Sequence, residues 1–149
     1  MTTITKSIEI NAPREVIGQY YAHPVHTPQW AQSVYLWEPD EAWPAAETTA
    51  KMGIKSGGLK IEGVATTLAY DSATMQHKFR LESKNFDPMD FEYTFEENDG
   101  QTVVTAAVDY TIPGSYLGQI LDKLFVERQN AKDIEEGLVR LKGMAEGSS

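Results

Sequence analysis

The stretch Val103-Val104-Thr105-Ala106-Ala107-Val108-Asp109-Tyr110-Thr111-Ile112-Pro113-Gly114 is where the period of the chain changes. Before Pro113, Val104, Ala106, Val108 and Tyr110 alternate with other residues, the pattern of a strand with one covered face. After it, Leu117, Leu121, Leu124, Ala131, Ile134, Leu138, Leu141 and Ala145 recur near the helical period. Pro113 suits the first turn of a helix, and no proline follows it. From Pro113 to Ala145 an unbroken helix would run to roughly 45–50 Å, enough to cross a whole sheet. Lys123, Glu127, Lys132, Glu136 and Arg140 fall largely on its other side, with Glu136 and Arg140 spaced to pair. Gly118 and Gly137 each cost about 1 kcal/mol against alanine inside a helix. A bend near Gly118, or close packing on the sheet, is the expected reason for them.

Upstream, residues 3–11 alternate and are β-branched, so they predict a strand. Asn11-Ala12-Pro13 ends it, and Arg14-Glu15 opens a short helix with Val16, Ile17, Tyr20 and Tyr21 on its apolar face. His23-Pro24 closes that helix, because the residue before a proline leaves the helical region. Residues 25–31 predict a second short helical turn carrying Trp30. Runs at 33–38, 47–55, 59–70, 74–83 and 89–95 then read as strands, separated by Pro39, Ser56-Gly57-Gly58, Asp71-Ser72-Ala73 and Asp87-Pro88. Asn98-Asp99-Gly100 marks the last turn. Met75, His77, Phe79 and Leu81 share one face of the fourth of these runs. The inward parity of 59–70 stays open, because both of its faces are mixed.

Each strand thus has one wet and one covered face, as in an antiparallel meander, and the long helix is the lid such a sheet needs. The expected fold class is α+β: a curved seven-stranded antiparallel sheet with two short helices and a long C-terminal helix, in the order β-α-α-β6-α. The chain has 149 residues, which suits one domain, expected over 1–146 with 147–149 as a disordered tail. It has no cysteine, which excludes disulfides, thiolate metal sites and cysteine nucleophiles. Net charge is −9, from 13 Lys plus Arg against 22 Asp plus Glu, so no nucleic-acid partner is expected. No stretch approaches the ~20 apolar residues of a membrane span, and the N-terminus lacks a signal peptide's basic start and apolar core. A cytoplasmic location without membrane insertion is the expectation.

Three stretches carry a family resemblance. Ser7-Ile8-Glu9-Ile10-Asn11-Ala12-Pro13 with Val16, then His23-Pro24 through Pro28-Gln29-Trp30, then Tyr110-Thr111-Ile112-Pro113-Gly114 with Leu117-Gly118 and Leu141-Lys142, resemble the START/Bet v 1-like (SRPBCC) superfamily. Within it they resemble the polyketide cyclase/dehydrase and lipid transport group. The resemblance implies the helix-grip fold and a cavity between the sheet and the long helix. It also implies a small hydrophobic guest, such as a lipid, a polyketide or an isoprenoid-like molecule. Ser56-Gly57-Gly58-Leu59-Lys60 lacks the gate and latch motifs of the superfamily's plant hormone receptors.

The expected pocket is built from Met52, Ile54, Ile61, His77, Phe79, Phe91, Tyr93 and Tyr110 of the sheet, facing Leu117, Leu121 and Leu124 of the helix. His77 is the candidate acid–base group, since an imidazole titrates near neutral pH; the competing reading is a hydrogen-bonded core histidine. Tyr93 and Tyr110 either anchor a carbonyl or hydroxyl of a guest or bond backbone groups in the core. Trp30 reads as a structural plug, and Trp37 and Trp43 as shaping the mouth or covering an edge. Asp109 and Glu62 read as solvated. His23 and His26 flank Pro24 without a third ligand, so no metal is expected, and no cofactor either. No phosphate loop, dinucleotide fingerprint or nucleophile elbow is present. Three functions remain: a carrier or sensor of a small apolar ligand, a cyclase or dehydratase, or a protein-interaction module with a filled core.

Overall fold

A computed structural model describes residues 2–56, 58–84, 86–111 and 123–147. The chain runs β1 (Thr2–Ile10), α1 (Arg14–Tyr21), a 3-10 turn (Pro24–His26), α2 (Thr27–Trp30), β2 (Val34–Pro39), β3 (Thr49–Ser56) and β4 (Leu59–Tyr70). It continues through β5 (His77–Ser83), β6 (Met89–Asn98), β7 (Gln101–Tyr110) and α3 (Lys123–Glu146). The strands form one seven-stranded antiparallel sheet in the order β1-β7-β6-β5-β4-β3-β2. With the curved sheet and the long C-terminal helix, this is the helix-grip fold. The expected helix start at Pro113, with Leu117, Gly118 and Leu121, lies outside the described residues, as do Ser148 and Ser149.

Local chemistry explains the turns. Asn98 pairs with Gln101, and both residues between them have positive φ, Asp99 at 54° and Gly100 at 80°. Two left-handed residues match the twist of a tight hairpin. Before β5, the Asp71 carboxylate accepts hydrogen bonds from the backbone N–H groups of Ala73 and Thr74, at 2.8 and 3.3 Å. This side-chain turn delays the strand. Met75 therefore does not sit on the sheet face beside His77, as alternation predicts; it precedes the strand in a left-handed conformation (φ 63°) and packs in the core near Gly18.

The uncertain parity of β4 has a physical cause. Thr67 pairs with Phe79 and Tyr70 pairs with His77, so an extra residue is inserted between Thr67 and Ala69. Such a bulge switches the inward face from odd to even positions. Ile61, Ala65 and Thr67 are buried before it, while Leu68 is turned outward.

The helix α3 covers the sheet with Val126, Leu138, Leu141 and Ala145, each at most 2% exposed. Burying each of the valine and leucine side chains stabilises the fold by about 1.5–3 kcal/mol. Gly137 does mark a close approach, but to a different neighbour from the one expected. A Cβ there would lie 3.3 Å from the carbonyl oxygen of Trp30, so the helix is drawn against α2. On the outer side, Glu136 pairs with Lys132 at 3.9 Å. The helix ends with the N–H of Gly147 donating to the Gly143 carbonyl at 3.1 Å.

Candidate functional site

The inner face of β5 and β6 carries a ladder of rings. Phe79 pairs across the strands with Phe91, and the rings stack with centroids 4.7 Å apart and planes 8° apart. His77 pairs with Tyr93 in the same way. From the other side α1 and α2 bring Tyr21 and Trp30, whose rings stack at 5.5 Å. The loop between β2 and β3 folds Trp43 inward, edge-on to both His77 (5.3 Å) and Phe79 (5.6 Å). Trp37 stands edge-on to Trp43 and is held by its indole N–H donating to the Pro24 carbonyl at 2.8 Å.

These rings line a cavity of about 80 Å³, with Ile134 and Gly137 of α3 on its helix side. That is below the roughly 300–1,000 Å³ of pockets that enclose drug-sized ligands. It suits a compact guest.

Of the expected pocket residues, Met52, Ile54, His77, Phe79, Phe91 and Tyr93 line this cavity. Tyr110 lines a smaller neighbouring void of about 40 Å³ that shares Ile54, Phe91 and Val108 with it. Its hydroxyl is buried beside Asn130 without a well-formed hydrogen bond among the described residues, while Asn130 accepts one from Ser56 at 3.0 Å. Ile61 is a correction. It pairs with Ile54 and is 5% exposed, but it is packed in the core and does not reach the cavity. Leu124 is a second correction, being 47% exposed. It lies two positions, about 200° around the helix, from the buried Val126. The helix residue Ile134, which does line the cavity, is about 15 Å further along the helix axis. Leu117 and Leu121 lie outside the described residues.

His77 is 1% exposed and both ring nitrogens are engaged. Nδ1 shares a hydrogen bond of 2.7 Å with the Tyr21 hydroxyl, and Nε2 one of 2.9 Å with the Thr67 hydroxyl. Burial pushes its pKa down to about 3, so the imidazole is neutral. Burial also raises Tyr21 well above the usual phenol value and Tyr93 to about 12, so both phenols keep their protons. Asp133 lines the cavity as well. Its carboxyl is raised by burial, against the opposing effect of a 3.0 Å hydrogen bond from Gln129. In this arrangement both ring nitrogens of His77 are held by hydroxyl groups.

Sequence reasoning missed that Tyr21 belongs to this site. The signal available was an aromatic doublet, Tyr20-Tyr21, on a short helix, which by itself reads as a packing face. Glu62 does lie on the solvated face, where its carboxylate accepts a hydrogen bond from Tyr35 at 2.7 Å. His26 Nδ1 shares a hydrogen bond of 3.0 Å with Gln29. Among the described residues no helix is long and apolar enough to cross a membrane.

The sheet, the gripping helix and the ring-lined cavity define a helix-grip domain with an aromatic pocket. The chain belongs to the family described as polyketide cyclase / dehydrase and lipid transport, whose model matches residues 1–146. No curated protein matches the sequence. Among solved structures, TTHA0849 from Thermus thermophilus is similar over 99% of both chains at 18% identity, with a TM-score of 0.78. A START superfamily protein from Mycobacterium smegmatis is similar over 99% of both chains, at 15% identity and a TM-score of 0.68. The Zhui aromatase/cyclase from a Streptomyces species is similar over 97% of this chain and 93% of that one, at 15% identity and a TM-score of 0.73. At these identities the likenesses show the fold.

Proposed function

We propose that the chain binds a compact, apolar, ring-bearing molecule between sheet and α3, as a carrier or sensor that does no chemistry on it. The supporting observation is a cavity walled by aromatic rings in which the one histidine already has both nitrogens hydrogen-bonded. Ligand sites are mostly apolar, with a few placed polar groups that fix orientation. The family's description, which joins lipid transport to cyclase chemistry, is consistent with this reading.

The cyclase or dehydratase reading is favoured by one contact, the Tyr21–His77 hydrogen bond at the cavity wall, and by the likeness to an aromatase/cyclase. Burial opposes it, since it holds the tyrosine protonated and the imidazole unprotonated. The void itself weighs against a filled-core interaction module.

The test is titration of the full chain with ethylbenzene, followed by tryptophan emission and amide NMR spectra. Shifts centred on Trp43, Phe91 and Ile134 are expected, and Ile134→Phe, which fills the space, should remove them. No response up to the solubility limit would sink the binding reading.

A further inference from the structure

The buried chain Tyr21–His77–Thr67 contains three protons and makes two hydrogen bonds. A neutral imidazole donates through one nitrogen and accepts through the other. If Nε2 carries the proton, it donates to Thr67, and Tyr21 donates to Nδ1. The surplus proton is then on the Thr67 hydroxyl. If Nδ1 carries it, it donates to the Tyr21 oxygen, and Thr67 donates to Nε2. The surplus proton is then on the Tyr21 hydroxyl.

The two ends of this chain are not equivalent. Thr67 is 1% exposed and does not line the cavity, whereas Tyr21 does. A buried donor without an acceptor is costly, so the chain is satisfied best when an acceptor arrives at the Tyr21 end. Tyr93 stands beside it, with ring centroids 5.1 Å apart. Tyr93 lines the same cavity, and its hydroxyl makes no hydrogen bond among the described residues. Among the described residues Asp133 is the only formally charged one in the lining, so a carboxylate guest would meet an acid there and neither a lysine nor an arginine.

We propose that the Nδ1–H tautomer of His77 leaves the Tyr21 hydroxyl free to donate into the cavity, and that with Tyr93 it selects a neutral single-ring aromatic carbonyl compound. The ring of the guest packs among Trp43, Phe79 and Phe91, and its oxygen accepts from the two tyrosines. This rests on the cavity-binding reading and adds the guest's chemical class to it.

The experiment compares acetophenone, ethylbenzene and benzoate on the full chain, by titration and by 15N NMR of the His77 imidazole. Acetophenone should bind roughly 5–30-fold more tightly than ethylbenzene, the size of one or two net hydrogen bonds, and benzoate most weakly. With acetophenone bound the imidazole should be in the Nδ1–H form. Tyr93→Phe should narrow the ratio of the two affinities. Equal affinity for ketone and hydrocarbon, tightest binding of benzoate, an Nε2–H imidazole with ketone bound, or an unchanged ratio in Tyr93→Phe each overturns the proposal while leaving cavity binding in place. If none of the three compounds perturbs the cavity, the binding reading fails and this inference falls with it.

Discussion

The Tyr21 hydroxyl stands 2.7 Å from Nδ1 of His77, although 56 positions separate the two residues. The contact fastens α1 to the middle of the sheet and forms part of the cavity wall. It also makes the protonation of one histidine a property of the whole fold.

The first prediction concerns pH. His77 titrates at about 3 in the folded state against about 6.5 in the unfolded chain. As pH falls below about 6.5 the unfolded chain takes up a proton that the folded state refuses. The stability associated with the neutral ring is therefore complete above about pH 6.5 and is lost progressively down to about 3. The slope is about 1.4 kcal/mol per pH unit, so pH 5 should cost about 2 kcal/mol from this group. Urea unfolding of the wild type and His77→Gln at pH 7 and pH 5 checks it. A variant with the same pH-dependent loss would show that other groups are responsible.

Tyr21→Phe and Tyr93→Phe should separate a bonded hydroxyl from an unbonded one. The first leaves a ring nitrogen of His77 without its partner and should cost about 1–3 kcal/mol. The second removes a hydroxyl with no hydrogen bond among the described residues and should stay within about 0.5 kcal/mol of the wild type. Denaturant midpoints at neutral pH measure both, and equal losses would contradict the assignment.

Gly63 is needed for close approach of two strands. A Cβ there would overlap the backbone carbonyl of Glu82, which lies across the β4–β5 pair beside its partner Ser83. Gly63→Ala should destabilise the protein by about 2–4 kcal/mol, because backbone rather than a side-chain tip must move. Thermal melting gives the number. A midpoint equal to that of the wild type would mean that the strands separate freely here.

Leu141→Ala tests the grip of the helix on the sheet. Leu141 is 0% exposed in the cluster that joins α3 to Ile10, Ile17 and Val104. The truncation should cost about 2–5 kcal/mol. Leu124→Ala, at a side chain 47% exposed, should cost well under half as much. Reversal of that order would place the buried stripe of the helix elsewhere.

Most of the architecture was legible because it is written in periodicity. The alternation of Val104, Ala106, Val108 and Tyr110 and the helical spacing of Ile134, Leu138, Leu141 and Ala145 each report a local geometry, and local geometry depends on near neighbours in the chain. Where reading by alternation failed, the cause was again local but silent in the pattern: the Asp71 turn that holds Met75 off the strand, and the extra residue in β4.

The site was legible in its rings and not in its connections. Alternation placed His77, Phe79, Phe91 and Tyr93 on one face, because pairing across β5 and β6 preserves parity. It could not place Leu124, where a rotation of about 200° along a helix decides between lid and surface. Nor could it join Tyr21 to His77 or Thr67, since hydrogen bonds between distant residues leave no trace in spacing. The sequence by itself determined a sheet with one apolar face and a helix long enough to cover it. Only the tertiary structure decided that the histidine on that face is neutral and doubly bonded, because that outcome depends on desolvation and on partners brought from α1 and β4.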